Sequence, residues 1–246
     1  MYGNAIPVDI GYCQSDWEAG FAFLPPRTVH AGRSRPLGPR AVQNCPAVNG
    51  LERQLIEVLS PIQVRLRLLV QGGQLSMSVD PKGTFAKPDA LAKFLWLEPQ
   101  ARWRDKAKPI LRLRLPFFFV TDEPCMALML PPFFDAGMRR WPGTPVAGRW
   151  PVTVWPASVD WALEWEDPRS ELVIRQGDPL AYVMFEFDDL NKRPNLVEAE
   201  LTDALAEYRQ GIDGVHHITD EIDALWQAAA GRRPQRLMVP ANETVE

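Results

Sequence analysis

The stretch Ile110-Leu-Arg-Leu-Arg-Leu-Pro-Phe-Phe-Phe119 decides how this chain is read. Leu111, Leu113 and Leu115 fall on one side and Arg112 and Arg114 on the other. That period of two marks a strand with one face in a core and one face polar. Ile62-Gln-Val-Arg-Leu-Arg-Leu68 alternates in the same way, and the hairpin-like Gln71-Gly72-Gly73-Gln74 leads from it into Leu75-Ser-Met-Ser-Val79. Alternation returns in Val159-Asp-Trp-Ala-Leu-Glu-Trp165. An apolar run, Leu180 to Phe187, then follows the turn Gln176-Gly-Asp-Pro179. Cys125 to Leu130, ended by Pro131-Pro132, reads as a strand to pair with the 110–119 strand. Gly20 to Leu24 is a short apolar run halted by Pro25-Pro26, residues 27–50 read as an irregular Pro/Gly-rich excursion, and Pro88 to Trp96 as a short helix.

Composition agrees with many short strands. Of the 246 residues 24 are proline, about twice the usual share, which excludes a long helical bundle. Nine tryptophans and eleven phenylalanines exclude general disorder. No apolar run reaches the roughly 20 residues of a membrane span, and the first residues have neither the basic start nor the apolar stretch of a signal peptide. After Asp189 the texture changes. Asn195 with Glu198 three residues on resembles a capping box, and Leu196, Val197, Leu201, Leu205 and Tyr208 recur at helical spacing up to Gly211. A second amphipathic helix carries Val215, Ile218, Ile222, Leu225, Trp226 and Ala229, and the pair must cover either the sheet or a partner subunit. The expected fold is mainly β: a β-sandwich or distorted barrel of short strands with two C-terminal α-helices. It forms a single domain over 1–246, with a β core at 20–188, a helical cap at 194–231 and a tail at 232–246.

Reactive side chains are sparse. Cys13, Cys45 and Cys125 are widely separated and make no Cys-x-x-Cys pair, which argues against a disulfide framework or zinc site and for a reducing cytoplasm. His30, His216 and His217 lack metalloprotease spacing, so the adjacent pair reads as solvated unless it binds metal. Phosphate-loop, dinucleotide and nucleophile-elbow motifs are missing, and no cofactor is implied. Asp160 and Glu164 stand four residues apart on one strand, about 13 Å, beyond the roughly 5 to 9.5 Å of glycosidase carboxylates.

The formal charge of −4 conceals an opposition. Residues 1–120 hold 16 Lys+Arg against 9 Asp+Glu, a net of +7, and residues 121–246 hold 11 against 22, a net of −11. The halves can face each other or neighbouring subunits, form ordinary solvated faces, or present basic stretches at 27–40 and 102–114 to phosphate. A pI near 5.5 argues against nucleic acid as the partner. Trp141, Trp150, Trp155, Trp161 and Trp165 crowd into 25 residues, as core, ligand shelf or subunit interface.

From about Arg40 to Phe187 the chain resembles a functionally uncharacterised family of bacterial and phage proteins. The resemblance rests on Asn44-Cys-Pro-Ala-Val-Asn49, on Thr121 to Pro132, on Trp155-Pro156 with Val159 to Trp165, and on Gly177-Asp-Pro-Leu-Ala-Tyr-Val-Met-Phe185. The glycine of the family's Pro-Pro-Gly turn is absent near Pro124, and its acidic residue after Gly148 is replaced near Thr153-Val154, so the resemblance implies a fold more than an activity. More remotely, the order of turns and strands is similar to the barrel of trimeric deoxyuridine triphosphatases. That likeness implies nucleotide binding or hydrolysis, but no Asp follows Gly148 at the interval where those enzymes orient water. The expected role is a cytoplasmic binding or assembly protein without its own catalysis, forming a homo-oligomer through its charge division and tryptophan-rich strands. The alternative is a nucleotide-binding or nucleotide-hydrolysing barrel. Candidate ligand contacts, for a phosphate-bearing small molecule, are Arg35, Arg40, Arg112, Arg114, Trp155 and Trp161.

Overall fold

A computed structural model describes residues 5–15, 24–29, 44–71, 74–84, 88–213 and 221–241. Its strands are β1 (Ile6–Gln14), β2 (Arg27–Thr28), β3 (Leu55–Leu59), β4 (Val64–Gln71), β5 (Gln74–Val79), β6 (Leu95–Leu97), β7 (Ile110–Val120) and β8 (Met126–Leu130), then β9 (Gly143–Pro145), β10 (Gly148–Trp150), β11 (Ser158–Trp165), β12 (Leu172–Ile174), β13 (Pro179–Glu186) and β14 (Lys192–Glu198). Helices are α1 (Pro46–Glu52), α2 (Pro88–Ala92), α3 (Asp203–Asp213) and α4 (Ile222–Arg232). Three sheets form, ordered β14-β1-β7-β11-β9 with β6 also on β7, then β10-β8-β13-β3-β2, and β12-β4-β5. All three turn a face to one core, giving the mainly β architecture of a distorted barrel or sandwich.

The alternation at 110–120 acts as read. Leu111, Leu113, Leu115, Phe117 and Phe119 enter the main core, while Arg112, Arg114, Phe118 and Val120 take the opposite face. Pro116 would interrupt a regular ladder, but between Ser158↔Phe118 and Asp160↔Arg114 the pairing with β11 shifts. The irregularity leaves the proline where a missing donor is tolerated. On β7's other edge β6 pairs with residues 111–113 and β1 with residues 117–120. Trp161 and Trp165 are fully buried, and Trp161 Nε1 donates to the Leu180 carbonyl at 2.8 Å.

Several elements depart from the sequence reading. The β core extends outside 20–188, because β1 lies between β7 and β14, and β1 and β14 run parallel. The expected helix start at Asn195 is strand β14 instead. Asn195 does not cap a helix; its Nδ2 donates across to Asp9 Oδ1 at 2.6 Å. Helix α3 begins only at Asp203. The strand at 126–130 does not pair with β7 but joins β13 in the second sheet, and part of the 27–50 excursion is helix α1. The hairpin of β4 and β5 closes at Gln71↔Gln74 as read.

Helices α3 and α4 cover the sheet. Leu205, Tyr208, Ile212 and Ala229 pack with Cys13, Phe118 and Val120, so the cap seals the apolar end of β7's outer face. Arg209 stacks 3.7 Å from the Phe118 ring centre and donates to the Pro156 carbonyl, and Tyr208 Oη donates to carbonyl oxygens of Val154 or Ala229. No helix among the described residues is long and apolar enough to cross a membrane.

Candidate functional site

Of the six sequence-derived contacts, the four among the described residues are not all brought together. Arg35 and Arg40 lie outside the described residues, as do all three histidines. Trp161 is in the core and edge-packed against Trp141, and Trp155 is half-buried beside the helical cap. Only Arg112 and Arg114 share a surface, the polar end of β7's outer face. There Arg112 donates to Glu98 at 3.1 Å and to Asp160 at 2.8 Å, and Arg114 reaches Asp160 at 3.4 Å. Both guanidiniums lie over Trp96, 5.8 and 5.5 Å from its centre. Glu98 and Asp160 are both mostly buried. Burial pushes the Asp160 carboxyl above its ordinary range, against the opposing pull of Arg112 and Arg114. Arg112 is held by two mostly buried carboxylates, and Arg114 shares one of them at 3.4 Å with half of its side chain exposed.

Much of the charge opposition closes inside the chain in the same way. Arg65 and Arg67 reach Glu171, Arg104 reaches Glu164, and Lys108 reaches Glu166, each joining the basic half to the acidic half. Together with the burial of Trp161 and Trp165, this engages internally the features that pointed to self-association.

Two clefts hold cations that have no carboxylate partner among the described residues: Lys82 and Arg175 in one, Arg139 and Arg140 in the other. The first, of ≈ 320 Å³, lies between the start of β4, the end of β12 and the turn after β5, and is lined by Arg65, Lys82 and Arg175. β4 and β12 pair there at Val173↔Arg65. The Asp80 amide donates to the Arg65 carbonyl at 2.9 Å, tying the turn to β4, and Gly83 fits because a Cβ would come 2.8 Å from the Arg65 Cβ. Asp80 is the lining carboxylate, and its Oδ1 accepts the Lys82 amide at 2.9 Å. The turn thus orients the one lining carboxylate, while Lys82 and Arg175 stay unpaired at the cleft wall and Arg65 shares its charge with Glu171 at 3.4 Å. The second cleft, of ≈ 530 Å³, lies beside β9 and holds Arg139, Arg140, Trp141, Glu166 and Asp167. Sequence reading missed both clefts, because which cations remain free depends on pairings between distant strands.

Catalytic groupings are scarce. Among the described residues no group of three or more His, Cys, Asp and Glu could hold a metal ion. Burial pushes the Cys13 and Cys125 thiols up to about 12, far from the thiolate a nucleophile needs. Compared with family models, curated proteins and solved structures, the chain matches none.

Proposed function

We propose that the protein is a binding protein, without a catalytic centre of its own, that takes a phosphate-bearing small molecule in the cleft between β4, β12 and the Asp80–Gly83 turn. The observation that supports this is the convergence of the unpaired Lys82 and Arg175, beside Arg65, on one hollow with a single lining carboxylate, Asp80, bonded to its own turn. Such a site favours an anion electrostatically, and charge-assisted hydrogen bonds to phosphate oxygens are stronger than neutral ones. The buried, high-pKa thiols support a role in binding over nucleophilic chemistry. A nucleotide-hydrolysing role would need a carboxylate poised to activate water, and no Asp follows Gly148 within the interval that the resemblance would require.

Calorimetric titration with pyrophosphate tests the proposal. Saturable binding is expected, weakening as salt is raised and falling at least about tenfold in the double variant Lys82→Ala/Arg175→Ala. Unchanged affinity in that variant, or no heat with the native chain, sinks the reading.

A further inference from the structure

The second cleft has a different charge pattern. Arg139 and Arg140 lie on a single 3₁₀ turn, Met138–Arg140, pinned by the Arg140 amide donating to the Gly137 carbonyl and the Trp141 amide to the Met138 carbonyl, both at 3.0 Å. Both side chains are exposed, and neither has a carboxylate partner among the described residues. Glu166 and Asp167 line the same hollow, and their amides donate to the Pro142 carbonyl at 2.9 Å, which holds this turn against the start of β9. Asp167 is occupied by its own turn, accepting from Ser170 Oγ at 2.6 Å and from the Arg169 amide at 3.2 Å. Glu166 is only loosely engaged, 3.5 Å from Thr144 Oγ1 and 3.9 Å from Lys108 Nζ.

The cleft thus displays both signs of charge without an ion pair between them. Trp141 adds an aromatic wall, its ring packed edge-on against the buried Trp161 at 5.5 Å. A simple anion would meet Glu166 and Asp167, and a simple cation would meet Arg139 and Arg140. A molecule bearing both charges satisfies each set, and a ring on it gains the aromatic wall.

We propose that this cleft is a second ligand site, for a small aromatic zwitterion of amino-acid or dipeptide size. The acid group of the ligand pairs with Arg139 and Arg140, its ammonium with Glu166, and its ring packs on Trp141. The site is separate from the phosphate cleft and does not depend on that reading.

Calorimetric titration of the full chain with phenylalanine and with glycyl-phenylalanine gives the test, alongside glycylglycine, N-acetylphenylalanine and phenylalanine methyl ester. At least one aromatic zwitterion is expected to bind at least about tenfold more tightly than the ring-free dipeptide, the acetylated form and the ester. Arg139→Ala/Arg140→Ala should weaken it at least about tenfold, and Glu166→Gln should weaken the zwitterion without weakening N-acetylphenylalanine. Lys82→Ala/Arg175→Ala should leave it unchanged. Equal binding of the acetylated form or the ester overturns the proposal, as does failure of both the amino acid and the dipeptide to bind at millimolar concentration.

Discussion

Replacing Arg112 by methionine tests how the polar end of β7 is held. Arg112 is the cation that touches both Glu98, whose side chain is 5% exposed, and Asp160, 19% exposed. Removing it leaves Glu98 with the more exposed Arg102 at 3.3 Å and the Trp96 indole, and Asp160 with Arg114 at 3.4 Å, longer contacts than Arg112's. Breaking one side of a buried ion pair costs about 3 to 5 kcal/mol. A third of the Arg112 side chain is open to solvent (33%), and each carboxylate keeps one other cation, so a smaller cost applies, about 2 kcal/mol. In a domain of this size that corresponds to a Tm lower by about 4 to 8 °C. Asp160→Asn should behave differently. Asp160 already holds its proton more tightly in the folded chain than in the unfolded one, because burial outweighs Arg112 and Arg114. Its charged form is therefore not the better accommodated one, and the neutral amide should cost no more than about 1 kcal/mol. The sign with pH follows. Because the folded chain binds this proton more tightly, Asp160 favours folding most below the unfolded carboxylate value of 3.8. That advantage is lost as pH rises from there through the higher folded value. Asp160→Asn should flatten this part of the stability–pH curve. Urea denaturation of both variants, repeated from pH 3.5 upward, gives the comparison. A loss below 1 kcal/mol for Arg112→Met, or an equal loss for the two variants, refutes the reasoning.

Other outcomes follow from particular contacts. Gly143→Ala places a Cβ 1.9 Å from the Glu164 carbonyl oxygen, so β9 must move from β11; a loss of about 1 to 3 kcal/mol or more is expected in urea melts, together with weaker zwitterion binding. Thiol labelling of the native protein should modify Cys45 alone, because Cys13 and Cys125 are buried with thiols near 12; labelling of all three before unfolding would contradict the packing. Arg233 donates to the carbonyl oxygens of Thr153 and Thr121 and to Asp122, with its side chain 10% exposed. Arg233→Ala should cost about 2 to 3 kcal/mol and raise amide exchange in α4 before the sheets, as read by hydrogen exchange.

The strands legible by alternation were those with one wet face, while β8 and β13 were read as apolar runs bounded by turns. β4, β5, β7 and β11 alternate because one side of each meets water or charged partners, and that is what periodicity detects. β3 escaped because Leu55 to Leu59 are all buried, Glu57 included, so no polar side marks it. Arg27 reaches that glutamate at 3.0 Å, a pairing across 30 residues that no local pattern announces. β14 misled because an Asn with a Glu three residues on carries a helix-start signature, whereas the segment pairs along β1 and the asparagine bonds Asp9 there. The charge division was visible in composition, but its partners were not. Arg112 and Arg114 looked free for phosphate until Glu98 and Asp160 were placed against them, and Lys82 and Arg175 looked ordinary until the turn at Asp80 placed them beside Arg65.

The parallel pairing of β1 with β14 joins residues 6–12 to residues 192–198. On the ribosome, the first strand emerges long before either of its neighbours exists. β7 supplies one edge only after residue 120 has been made, and β14 the other only after residue 198. Until then Val8 and Ile10, both core residues, are exposed along an unpaired strand. The first sheet therefore completes after most of the chain has been synthesised, and such long-range closure is slow and open to aggregation. Truncation before residue 192 should give insoluble chains rather than a smaller folded barrel, and yield should respond to chaperone supply more than to improvements in the central core.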